Sequence, residues 1–133
     1  MAQGSTKIKV KNIEDALPAG PNIIGAAKDA GPNWTPSFVD EKYTTAQTDT
    51  VLIAAPGAGV AIYITDIVIS ANAAVDMTLE EGTTVPIHEF YFDAKGGAVM
   101  NFRTPRKLAD NTALTITTSA AQTVFITVHY YSA

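Results

Sequence analysis

The stretch from Val60 to Ser70, Val-Ala-Ile-Tyr-Ile-Thr-Asp-Ile-Val-Ile-Ser, leaves this chain few folds to choose from. It is dominated by β-branched residues and follows a Pro56-Gly57-Ala58-Gly59 turn, so it reads as a strand, where such side chains pack well on a pleated surface. Val60, Ile62 and Ile64 repeat at the strand period of two; after Thr65-Asp66 the parity changes and Ile67 and Ile69 take over. One inserted residue would flip every later side chain to the other face, so the change of parity predicts a β-bulge or a bend.

The rest of the chain supplies partners for that strand. Strands are expected near residues 38–45, 50–54, 60–70, 74–79, 84–92, 98–103, 113–118 and 123–131. The breaks between them carry turn chemistry: residues 56–59, 71–73, 80–83, 95–97, 104–111 and 119–122 are rich in Gly, Pro, Asn, Asp, Ser and Thr. About eight short strands at this spacing predict an all-β chain, an antiparallel β-sandwich. Eight strands suit a jelly roll better than a seven-stranded immunoglobulin sandwich. Alternation assigns the core faces to Val75, Met77 and Leu79, to Leu114 and Ile116, and to Val124, Ile126 and Val128.

Residues 1–37 differ in texture. They hold four of the seven prolines and four of the nine glycines, with one short alternating run, Lys7-Ile8-Lys9-Val10. This reads as an extended N-terminal arm ahead of a sandwich domain spanning residues 38–133. Lys7, Lys9 and Lys11 share one face of the run and read as a solvated face that discourages wrong pairing at a sheet edge. Trp34 and Phe38 are the expected anchors of the arm, either in a neighbour's groove or as a lid over the home sandwich.

Composition narrows the function classes. Charged residues make up 17% of the 133, below the roughly 25% usual for soluble domains, which points to surface covered by other molecules, most simply copies of the same chain, although Thr-rich solvated strands would give the same composition. A net charge of −4 with nine scattered basic residues argues against nucleic-acid binding, which needs clustered Lys and Arg. No run approaches the roughly 18 apolar residues of a membrane helix, and the N-terminal residues lack a secretory apolar segment, so a soluble chain made in the cytoplasm is expected.

The residues offer no catalytic constellation. There is no cysteine, hence no thiolate for zinc or for nucleophilic attack. Glu80-Glu81 and Asp40-Glu41 are neighbours on strands, which point to opposite faces, and both abut turns. His88 and His129 are far apart in sequence and lack metal-ligand spacing. No Gly-x-Ser-x-Gly elbow occurs, and Gly57-Ala58-Gly59 precedes a strand rather than a helix, so it reads as a hairpin turn and not a phosphate loop. The expectation is a protein that is not an enzyme, with no cofactor and no metal.

Aromatic residues point to binding instead. In Phe90-Tyr91-Phe92 two rings share one face and Tyr91 takes the other, and Tyr130 and Tyr131 split in the same way. At least one ring of each group stands outside the core, and exposed Tyr favours protein interfaces over sugar stacking here.

Several strings together resemble a known group. Tyr43-Thr-Thr-Ala-Gln-Thr-Asp-Thr50, Ala55-Pro-Gly-Ala-Gly59, Ile62-Tyr-Ile-Thr-Asp-Ile-Val-Ile-Ser70, Gly96-Gly97, Ala113-Leu-Thr-Ile-Thr-Thr-Ser-Ala120 and Val124-x-x-x-Val128-x-Tyr130 look like the small β-sandwich proteins of tailed bacteriophage virions, as do Leu17-Pro-Ala-Gly20 and Asn22-Ile-Ile-Gly25 upstream. The resemblance implies a capsid decoration (cement) protein. Such a protein sits on the outer surface of the virion, self-associates as a homotrimer, clamps the major capsid protein and has no catalytic role. Arm contacts are then expected at Ile8, Val10, Ile23, Ile24 and Trp34, and sandwich contacts at Tyr43, Tyr91 and Tyr131. The competing expectation is a tail-associated, fibre-like receptor-binding module. It would read a host glycan through exposed tyrosines and turn carboxylates in the loops at residues 80–84 and 104–111.

Overall fold

The structure, a computed structural model, describes residues 35–133. Eight strands follow one another: β1 (Ser37–Tyr43), β2 (Thr50–Ile53), β3 (Ile62–Ala71), β4 (Val75–Glu81), β5 (Val85–Phe92), β6 (Gly97–Lys107), β7 (Leu114–Thr118) and β8 (Val124–Ser132). There is no helix among the described residues. Two antiparallel four-stranded sheets form, in the order β1-β8-β3-β6 (the first sheet) and β2-β7-β4-β5 (the second sheet).

The pairing is nested: β1 with β8, β2 with β7, β3 with β6, and β4 with β5. Only the β4–β5 connection is a hairpin within one sheet; every other consecutive pair of strands lies in opposite sheets. A long hairpin rolled about its own axis produces this order, which is the eight-stranded jelly roll expected from the strand count. One local expectation changes. Residues 54–61, with Gly57 and Gly59 both at positive φ, are not a hairpin turn but the crossing from the second sheet to the first, because β2 pairs with β7 and not with β3.

The bulge lies where the parity change placed it. On β3, Ile64 faces Tyr130 and Asp66 faces His129, which are adjacent on β8, so Thr65 is the extra residue. Ile62 and Ile64 before it, and Ile67 and Ile69 after it, are all buried. Without the bulge one of these pairs would point to solvent, which is why the sequence carries it. On the other flank, residues 102–105 of β6 stand against Thr65 alone, since Asp66 pairs with Asn101 and Ile64 with Arg106.

β6 also runs further than its sequence suggested. Pro105 lies inside it, where a turn is expected from residue 104. The strand is the edge of the first sheet, so the missing N–H of proline costs no ladder bond. Pro86 occupies β5, the edge of the second sheet, on the same terms. Leu108, expected in the turn, is core: it is 1% exposed and its N–H donates to the Ile62 carbonyl at 2.9 Å.

Between the sheets lie Leu52, Ile53, the four β3 isoleucines, Val75, Met77, Leu79, Phe90, Leu114, Ile116, Val124, Ile126 and Val128. Every core residue that alternation assigned is buried. Gly97 shows how tightly β6 approaches: a Cβ there would stand 2.9 Å from the Ile69 carbonyl oxygen. Both ends are laced by reciprocal bonds between loops. Gln47 and Thr118 exchange two at one end (2.8 and 2.9 Å), and Ala61 and Ala133 two at the other (2.9 and 3.0 Å).

Candidate functional site

Strand register decides which outward side chains stand side by side. On the first sheet, directly opposed residues form rows: Lys42 beside Phe125 and Ser70; Asp40 beside Thr127, Val68 and Val99; Phe38 beside His129, Asp66 and Asn101; Tyr131 beside Tyr63 and Lys107. Phe38 is 63% exposed and Val99 66%, with Phe125 and Val68 also open to solvent. Four large apolar side chains from four strands therefore share one outer face.

Aromatic contacts order that face. The Tyr63 and Tyr131 rings stack at 4.8 Å and 4°, with Lys107 Nζ 5.9 Å from the Tyr63 centroid. Lys42 Nζ lies 5.6 Å from the Phe125 ring. Phe38 sits 6.0 Å from His129, and Thr127 donates to the Asp40 carboxylate. Near the start of β1 an open groove of about 420 Å³ lies between Phe38, His129, Tyr131 and the bulged Thr65-Asp66. The bulge that balances the core thus also shapes the surface.

The outer face of the second sheet is built otherwise. Its outward positions hold Val51, Asp76, Thr78, Glu80, Glu89, Tyr91, Thr115 and Thr117, of which Val51 and Tyr91 are exposed and Thr115 is buried. Thr117 donates to Glu80 Oε2 at 3.1 Å, the Thr115 hydroxyl donates to the Gly82 carbonyl at 2.5 Å, and the Asp49 N–H donates to Thr117 Oγ1 at 3.0 Å. The four strands of this sheet carry four acidic residues and no Lys or Arg, whereas those of the first carry four basic and three acidic.

The tyrosines singled out by sequence fall in three different places. Tyr131 belongs to the aromatic face of the first sheet. Tyr91 is 72% exposed on the second, where its hydroxyl donates to Glu89; that bond, and then the Glu89 charge, raise its pKa above 10.0. Tyr43 is half-buried against the core at the end of β1, and burial first, then Glu41, raises its pKa. They do not form one surface. Ile8, Val10, Ile23, Ile24 and Trp34 lie outside the described residues.

The residues that sequence reasoning passed over are Tyr63, Val68, Val99 and Phe125. Each occupies the outward parity of a strand whose inward parity is already filled, a readable signal when the residue is large and apolar. Loops 80–84 and 104–111 do adjoin, as the competing reading required: the Ala109 N–H donates to Glu81 Oε1 at 2.6 Å. That contact employs the Glu81 carboxylate in joining the loops. Among the described residues no three His, Cys, Asp or Glu side chains group as metal ligands, and no helix is long and apolar enough to cross a membrane.

No family model and no curated protein sequence matches the chain. Among solved structures, it is similar to a chain of the cyanophage Pam1 capsid asymmetric unit at 14% identity, covering 74% of this chain and 84% of that one, with a TM-score of 0.44. The Bacillus thuringiensis insecticidal delta-endotoxin Cry8Ea1 is similar at 11% identity, over 69% of this chain and 19% of that one, with a TM-score of 0.41. The coat protein of Tobacco streak virus is similar at 14% identity, over 76% and 85%, with a TM-score of 0.42. Two of these three are viral shell structures and the third is a toxin. The assignment to the jelly roll stands on the strand order, not on these likenesses.

Proposed function

We propose that this protein is a structural component of a bacteriophage virion that decorates the outside of the capsid and stabilises it by bridging neighbouring shell subunits. The observation that carries this reading is the asymmetry of the sandwich. The first sheet exposes Phe38, Val68, Val99 and Phe125, one from each strand and beside Lys42 and Lys107, whereas the second exposes Val51, Val85 and Tyr91 among threonines and carboxylates with no Lys or Arg on its strands. A body of this kind seats one side and leaves the other in solvent. The jelly roll hosts many functions, so the role is argued from the face and not from the fold.

In this reading the aromatic face meets the major capsid protein or another copy in a homotrimer. Residues 1–37 form an arm that extends the contact through Ile8, Val10, Ile23, Ile24 and Trp34. Each weak contact is multiplied by effective concentration once several copies are joined. The test is to mix the full chain with capsids assembled without it and count the copies bound. Saturable binding at symmetric sites, lost in Phe125→Asp/Val99→Asp, is expected; no binding to any shell refutes the proposal. The tail-associated receptor reading has one observation in its favour, the meeting of the two loops at one end of the sandwich, and glycan binding abolished by changes in those loops would establish it instead.

A further inference from the structure

The groove beside the Thr65 bulge has a chemistry that the broad apolar face does not explain. Asp66 is half-buried on its floor, and no hydrogen bond or ion pair from the described residues reaches its carboxylate. Its lining is rich in rings: Phe38 and His129, 6.0 Å apart, stand beside it with Tyr130 and Tyr131, the last already stacked on Tyr63, and Pro36 and Ser37 complete it. The Thr65 hydroxyl is already engaged with the His129 carbonyl at 3.2 Å. A lone carboxylate among ring faces, in a groove of about 420 Å³, is complementary to a planar cation. Guanidinium both stacks on aromatic rings and donates paired hydrogen bonds to a carboxylate.

We infer that this groove receives an arginine side chain from the protein on which the aromatic face docks. The inference rests on the protein-binding reading of that face and adds the chemistry of its recognition point. An ammonium group would satisfy the charge but not the stacking, so lysine fits less well. A neutral sugar held through the Ser37 or Tyr130 hydroxyl would not depend on the charge of Asp66, which is how the test below separates it from arginine.

The probe is a blocked Gly-Arg-Gly tripeptide, compared with the same peptide carrying citrulline, which keeps the shape of arginine and removes its charge. Titrated into the isotopically labelled full chain and followed by NMR, the arginyl peptide is expected to shift the Asp66 carboxyl, Phe38 and His129 signals saturably. Citrulline should bind about tenfold more weakly or worse, and Asp66→Asn should bring the arginyl peptide down to the citrulline level. Equal binding of both peptides, an Asp66→Asn variant that binds as before, or a neutral disaccharide that occupies the groove independently of Asp66 would each overturn the inference. Shell binding separates the two claims. Capsid attachment that survives Asp66→Asn with no arginyl-peptide effect defeats the groove alone, whereas arginyl-peptide binding without capsid attachment defeats the decoration reading alone.

Discussion

The two outer faces of this sandwich are made by the same rule of alternation and end in opposite chemistry. On the second sheet the outward positions hold Thr78, Thr115, Thr117 and the carboxylates of Asp76, Glu80 and Glu89 beside the exposed Val51 and Tyr91, with Glu80 accepting from Thr117 and Glu89 from Tyr91. On the first sheet the same positions hold Phe38, Val68, Val99 and Phe125, with Lys42 over the Phe125 ring and Lys107 over Tyr63 while also paired with Asp110 at 3.6 Å. Inward parity is apolar on both, Ile and Val on the first sheet and Leu, Ile, Val, Met77 and Phe90 on the second, and together they fill one core. The fold accounts for the inner faces; function is written in the difference between the outer ones.

The most disruptive way to break that comparison is to delete Thr65. Removing the bulge forces either Ile62 and Ile64 or Ile67 and Ile69 onto the aromatic face, so the cooperative thermal transition should be lost, at a cost on the order of 5 kcal/mol for two misplaced isoleucines. A calorimetric transition that survives within a few degrees would show that β3 does not depend on the bulge. Next in size is the double change Phe125→Asp/Val99→Asp. It should weaken self-association or capsid attachment at least about a hundredfold by sedimentation while leaving the unfolding midpoint nearly unchanged, since hot-spot losses reach about 2 kcal/mol and more per side chain. The matched double change Thr78→Asp/Tyr91→Asp on the second sheet should alter attachment by less than about twofold. If the two doubles behave alike, the faces are not functionally distinct.

Smaller effects sharpen the account of the acidic face. Thr117→Val removes the donor to Glu80 and the acceptor of the Asp49 N–H, and should lower stability by about 1 to 2 kcal/mol in urea unfolding. The smallest is a titration. Tyr91 should lose its proton above pH 10.0, because Glu89 accepts its hydrogen bond and opposes a second negative charge. A raised pKa in the folded chain means that its contribution is complete below the unfolded value and disappears as pH climbs through the folded one. Glu89→Gln should bring the ultraviolet titration of Tyr91 back toward 10; an unchanged midpoint would show that the bond does not govern it.

Much of this was legible before any coordinates. Strand-period runs and turn residues are local signals, and so is the phase change at Thr65-Asp66, which is why the strands and the bulge were found within a few residues of their places. Pairing was less accessible. β1 with β8 joins Ser37 to Tyr130 across nearly the whole described chain, and no short window carries that information. Residues 56–59 therefore read as a hairpin turn from sequence although they belong to the crossing between sheets, and Pro105 reads as a break because proline interrupts strands except on an edge, a status that only the sheet order reveals. The same limit governed the site. Parity says that Phe125, Val68, Tyr91 and Tyr131 point outward, but assignment of strands to sheets is needed to see that the first, second and fourth share a face and the third does not.

Hydroxyl-radical footprinting of the full chain, free and bound to capsids assembled without it, tests the central claim most directly. Protection should fall on Phe38, Phe125, Tyr63 and Tyr131 of the first sheet, with Tyr91 on the second oxidised as fast as in the free protein. Protection of Tyr91 with the aromatic face still reactive would contradict the account.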